Sequence, residues 1–193
     1  PDDVQQEHPF LWAFEVWALR MEGRFEAAEA RIAEVEEALN DPSQKASNDL
    51  ETIKGLINSN KAYIALIRGD LEETISISRE SLNQLPKNLL VIRTMTAIYL
   101  GVALRLHGNL KEALEIYLNT LPYGNQLAGS SIAVFCFTHL SNLYYELGEL
   151  QKSKEMAEQA IQFTNQHSDK VNLPFLGYAY ICIGRNLRQR GHL

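Results

Sequence analysis

Few side chains in this sequence have the type and spacing that chemistry needs. Cys136 and His139 stand three apart on one predicted helical face, a spacing that two metal ligands could share. Their flanks, Val134-Phe135 and Phe137, are apolar, and no further cysteine or carboxylate lies near in sequence. The other histidines, His8, His107, His167 and His192, supply no second ligand pair at zinc-type spacing. Ser141 cannot use His139 as a base, because residues two apart on a helix point to different faces. Glu34, Glu36 and Glu37 read as a solvated helix edge, whereas paired acid–base work needs two carboxyls in different environments. There is no Gly-x-x-x-x-Gly-Lys-Ser/Thr loop to cradle a triphosphate, and Tyr123-Gly124-Asn125 reads as a plain connecting loop. The expectation is a chain with no catalytic residue, no metal and no cofactor. An enzyme whose residues converge only in three dimensions is the rival reading.

Composition narrows the partners. The chain has 193 residues, 46% hydrophobic, with a formal net charge of -6. Duplex phosphates demand a concentrated basic surface, so direct DNA binding by this segment is not expected. Cys136 and Cys182 sit in apolar helical stretches and read as buried, reduced thiols. The first residues, Pro1-Asp2-Asp3-Val4, are acidic with no signal-peptide core, and charged or amide residues break every apolar run well short of a membrane span. A cytoplasmic protein without membrane contact is expected.

What must position any site is a repeat. One turn recurs: glycine, a polar residue, an apolar residue, two mostly polar residues, then a small one. It reads Gly23 to Ala28, Gly69 to Thr74, Gly108 to Ala113 and Gly148 to Ser153, and begins again at Gly191-His192-Leu193. Glycine ends a helix because it tolerates the left-handed backbone. The apolar residue anchors the next helix on the last, and the small residue lets the two approach. Behind each turn runs a 3.6-residue apolar stripe, for example Leu110, Ala113, Leu114, Tyr117, Leu118 and Leu121. A small residue stands seven places before the turn glycine at Ala62, Gly101, Ser141 and Gly184, with Val16 departing in the first copy. Pro42, Pro86 and Pro122 are expected to stop the second helices.

The spacing predicts helices at about 8–22, 24–40, 45–68, 70–84, 88–107, 109–121, 126–147, 149–166 and 172–190, with loops near 41–47, 86–88, 122–126 and 167–173. The fold class that follows is all-α: a right-handed superhelix, or solenoid, of antiparallel helix pairs. Residues 1–193 are expected to form a single domain of four repeats, about 8–42, 45–86, 88–122 and 126–167, with a partial fifth at 172–193. Ending inside a repeat, it is expected to be a piece of a longer protein.

These residues resemble the tetratricopeptide repeat (TPR). Ala62, Gly69, Thr74, Ser81 and Pro86 fall at its marked places in the second unit; Ser141, Tyr144, Gly148, Ser153 and Ala160 do so in the fourth. The glycine spacings of 46, 39, 40 and 43 depart from the usual 34. Long, uneven repeats of this kind are similar to the helical region of the large ATP-dependent LuxR-type, MalT-like transcription regulators. The stretches that carry this resemblance are Pro9 through Trp17-Ala18-Leu19, Ala62 through Gly69-Asp70, Ser81-Leu82-Asn83-Gln84-Leu85-Pro86, Arg93, and Leu100-Gly101-Val102-Ala103. The resemblance implies a non-catalytic, effector-sensing and protein-interaction region. Its partners would be a small-molecule inducer or a protein, with possible self-association, and a C-terminal helix-turn-helix outside this sequence would bind DNA. The alternative is a general TPR scaffold that grips a peptide segment of a partner.

In TPR arrays the first helices line the concave face. Counting back from each turn glycine places Trp17, Arg20, Tyr63, Arg105, Asn142, Tyr145, Arg185 and Arg188 on that face, with Leu56, Ser59, Ile98 and the acid Glu146 among the other positions of the same register. Arginines beside aromatic rings suit a sugar, an anionic metabolite or an acidic peptide.

Overall fold

The computed structural model describes residues 10–39, 49–126, 131–166 and 173–189. Among these residues every regular element is helical and no strand occurs. The helices are α1 (Phe10–Met21), α2 (Phe25–Leu39), α3 (Leu50–Arg68), α4 (Leu71–Gln84), α5 (Leu90–Leu106), α6 (Leu110–Gln126), α7 (Ser131–Glu146), α8 (Leu150–Gln166) and α9 (Leu173–Gln189). Neighbours in sequence pack as pairs, which is the arrangement of a TPR-like all-α repeat. The turn copy at Gly191, together with Pro9, Pro42, His8, His167 and His192, lies outside the described residues.

The chain divides into two compact units, residues 1–99 and 100–193, the division falling within α5. In the first unit α1 packs on α2 and on α3, and α3 packs on α4. Its core joins Trp12, Val16, Ile32, Val35, Ile53, Ile57 and Leu85. In the second unit α7 packs on α6, α8 and α9, and α8 also packs on α9. Val134, Phe137, Ala160 and Ala179 make a core cluster there.

The turn glycines do what their spacing demands. Gly69 has φ 83°, a left-handed value that a side chain would strain. That bend turns the Gly69 N–H onto the Leu66 carbonyl and the Asp70 N–H onto the Ala65 carbonyl, satisfying the end of α3. Asp70 then opens α4: its carboxylate accepts from the Glu73 N–H at 3.2 Å. The small residues at the fifth place after each glycine, Ala28, Thr74, Ala113 and Ser153, are all fully buried. So are Val16, Ala62 and Ser141, seven places before. Gly101 shows why: a Cβ built there would lie 2.4 Å from Cε1 of Tyr117.

Two prolines behave differently. Leu85 adopts φ −71°, ψ 128°, the extended backbone that a following proline imposes, and α4 ends at Gln84 as expected. Arg93 completes that end by donating Nη1 to the carbonyls of Leu82 at 2.6 Å and Leu85 at 2.5 Å. Pro122, by contrast, lies inside α6. The stop expected at 121 and the loop at 122–126 are therefore wrong, and Tyr123-Gly124-Asn125 is helical. The carbonyl four residues before Pro122 belongs to Leu118, on the exposed side of the helix, where water can take the bond that proline cannot make.

Candidate partner-binding face

Arginines of the first helices reach across to a neighbouring first helix, and each finds a different partner. In the first unit Arg20 leaves α1 and lies over the Tyr63 ring of α3, 4.2 Å from its centroid. Its Nη1 donates to the Tyr99 hydroxyl at 3.0 Å. Tyr63 and Tyr99 meet at a tilt, with centroids 5.3 Å apart. Burial raises the Tyr99 hydroxyl above its ordinary pKa against the opposing pull of Arg20, so the phenol keeps its proton. Arg20 is only 8% exposed, which the reading of an open groove did not anticipate. Trp17, three residues earlier, stands exposed.

In the second unit Arg105 pairs with Glu146, Nη1 to Oε1 at 2.5 Å. In the same unit Tyr117 stacks on His139, centroids 5.6 Å apart and planes 14° apart, and Phe135 also stacks with the imidazole at 6.2 Å. Burial, helped by the Arg105 charge, lowers His139 to about 4, so the ring is neutral at neutral pH. Burial likewise pushes the Cys136 thiol up to about 12, which leaves it protonated and a poor nucleophile at neutral pH. Cys136 and Cys182 are both buried and unpaired with each other.

Further along the second unit, Arg185 of α9 lies 4.2 Å over the Tyr145 ring of α7 and donates Nη1 to Asn142 Oδ1 at 2.8 Å. The Cys182 thiol approaches the same oxygen at 3.6 Å. Arg188 is exposed, as are Tyr178 and Ile181 on α9.

The sequence-predicted residues thus separate into groups. Arg20 joins Tyr63, and Asn142, Tyr145 and Arg185 come together. Arg105 joins an acid that register had also placed on this face. Trp17 and Arg188 stand exposed on α1 and α9. The deeper register places are not face at all: Leu56, Ser59 and Ile98 are buried in packing. Tyr99, nine residues before Gly108, was missed; it falls one turn from a counted register position, and its hydroxyl is the only clue to its role. Ion pairs also line the second helices of the first unit. Lys61 meets Glu36 at 2.7 Å, beside a cleft of about 430 Å³ between α2, α3 and α4. No helix among the described residues is long and apolar enough to cross a membrane.

The described residues are those of a TPR-like helical repeat region, and a tetratricopeptide repeat family model matches residues 136–168, the stretch that holds most of α7 and all of α8.

Proposed function

We propose that this chain is a non-catalytic scaffold whose units bind a segment of a protein partner on their first helices. The observation that carries this reading is the recurring arginine rung: Arg20 on Tyr63, Arg105 on Glu146, Arg185 on Tyr145 and Asn142. Each rung fixes a guanidinium beside a ring, an amide or a carboxylate, and exposed Trp17, Tyr178 and Ile181 add apolar area. Aromatic and arginine anchors of this kind dominate protein–protein recognition. The match to the repeat family supports protein interaction in general, because TPR repeats are typically scaffolds without chemistry of their own. The narrower reading, an effector-sensing region of a LuxR-type regulator that answers an inducer and self-associates, draws only on the sequence stretches that resemble that family. The family match speaks to the repeat and not to the regulator.

A photo-crosslinking amino acid tests the face. Placed at Tyr178 it should capture a partner in the source cell and yield a defined peptide adduct by mass spectrometry. Placed at Gln159, exposed on the second helix α8, it should not. Equal capture at both places would contradict the reading.

A further inference from the structure

The outer face of α1 is apolar from end to end. Leu11, Phe14 and Met21 are 42%, 57% and 64% exposed, Ala18 is exposed between the last two, and Trp17 flanks the stripe at 48%. No charged side chain interrupts it. Arg20 is turned inward, and Glu15, at the edge, is held to Arg31 at 2.7 Å. With each large side chain about half exposed, the five offer on the order of 450 Å² of apolar surface. Single exposed apolar residues are ordinary, but a contiguous patch of a few hundred Å² is commonly an interaction surface.

The spacing of the stripe says what covers it. Leu11, Phe14, Ala18 and Met21 stand three, four and three apart, so they share one helix face and run alike in both directions from the level of Val16. A two-fold axis at that level turns a second α1 antiparallel to the first. Leu11 then meets the partner's Met21, and Phe14 meets the partner's Ala18. The bulkiest side chain of the four lies over the smallest, which lets the helices approach without a void. A parallel pair would instead set Phe14 on Phe14 and Ala18 on Ala18, a clash beside a gap.

We propose that two copies of this chain associate through α1, antiparallel about a two-fold axis level with Val16. The occupant of the stripe is the same stripe on a second copy. Together the two would cover roughly 900 Å², at the low end for a specific interface, so the dimer dissociates in the range of about 10–100 µM. The proposal does not rest on the scaffold reading.

Sedimentation equilibrium of the whole chain tests it, across about 1–300 µM, the range that an interface of this size spans. The mass should rise from monomer to dimer and stop there. Ala18→Glu should weaken the dimer at least about tenfold, because it sets an unpaired carboxylate against the partner's Phe14. Ala18 is exposed, so the variant should keep its helicity. Oxidation reads the orientation. An equimolar mixture of Leu11→Cys and Met21→Cys chains should form a covalent dimer, and neither variant alone should, since only antiparallel pairing brings the two places together. The native thiols are buried and stay out of the reaction. A chain that stays monomeric, a dimer that Ala18→Glu leaves intact, or covalent dimers formed as readily by either variant alone would overturn the proposal. Growth beyond the dimer would overturn it too, since open-ended growth needs a heterologous contact, such as α1 against the exposed Tyr178 and Ile181 of α9.

Discussion

The hydroxyls of Ser141 and Ser153 each donate to the other residue's backbone carbonyl, both at 2.7 Å, locking α7 to α8. Asn186 of α9 adds a third strut, Nδ2 to Ser153 Oγ at 2.8 Å. All three residues are essentially fully buried. Small residues at these repeat places therefore do more than save space: in the α7–α8 pair they weld the turn with reciprocal hydrogen bonds. Ser153→Ala should cost about 1 kcal/mol, because it removes one bond each from the Ser141 carbonyl and the buried Asn186 amide, which keeps its bond to the Cys182 carbonyl at 2.8 Å. Ser141→Ala combined with it should cost less than the sum of the two single changes, since they share partners. Urea denaturation of the four proteins checks this; strict additivity would show that the two hydroxyls act independently.

Gly101→Leu tests the close approach of α5 to α6. Even a methyl group at that place meets the Tyr117 ring at 2.4 Å, and Tyr117 is fully buried with no room to swing. The expected loss is roughly 1–3 kcal/mol by overpacking. Tyr117→Ala in the same chain should return part of it. A wild-type melting temperature for Gly101→Leu alone would mean that the two helices do not meet as described.

Acid should destabilise the second unit through His139. Its folded pKa of about 4 lies below the ordinary 6.5, so the unfolded chain binds the extra proton first. Stability is then fully present above about pH 6.5 and is lost as pH falls toward 4, in total by about 3 kcal/mol. The slope between pH 6.5 and 5, above most carboxylate titration, is the clean window. His139→Leu should flatten it. An unchanged slope in that variant would place the pH dependence elsewhere.

The two thiols should be silent in the native state. Cys136 is raised to about 12 by burial, and burial also raises Cys182 despite the opposing Ser141 hydrogen bond and Arg185 charge. At pH 8 a disulfide reagent should label neither at an appreciable rate, and both should react within seconds in denaturant. Rapid native labelling would show that α7 or α9 opens readily.

Much of the architecture is legible in the sequence because it depends on local chemistry. A left-handed glycine such as Gly69, a capping aspartate such as Asp70 and a small residue such as Ala113 each act within a few residues of themselves. Pro122 was misread because the cost of an internal proline depends on which carbonyl it orphans, and the exposure of Leu118 is a tertiary fact. The site was half legible for a similar reason. Register places Arg20 and Tyr63 on neighbouring helices, but their 4.2 Å stacking and the burial of the guanidinium depend on how α1 leans on α3. Tyr99 enters only because α5 brings its hydroxyl to Arg20.

The central claim is that the first helices hold the partner, and titration calorimetry tests it most directly. The crosslinked partner segment, made as a peptide, would be titrated into the wild-type chain and into Trp17→Ala, Tyr145→Ala and Arg188→Ala, with helicity checked by circular dichroism. The account predicts that at least one of the three weakens binding by about tenfold or more, as loss of an aromatic or arginine anchor does. Unchanged affinity in all three folded variants would contradict it.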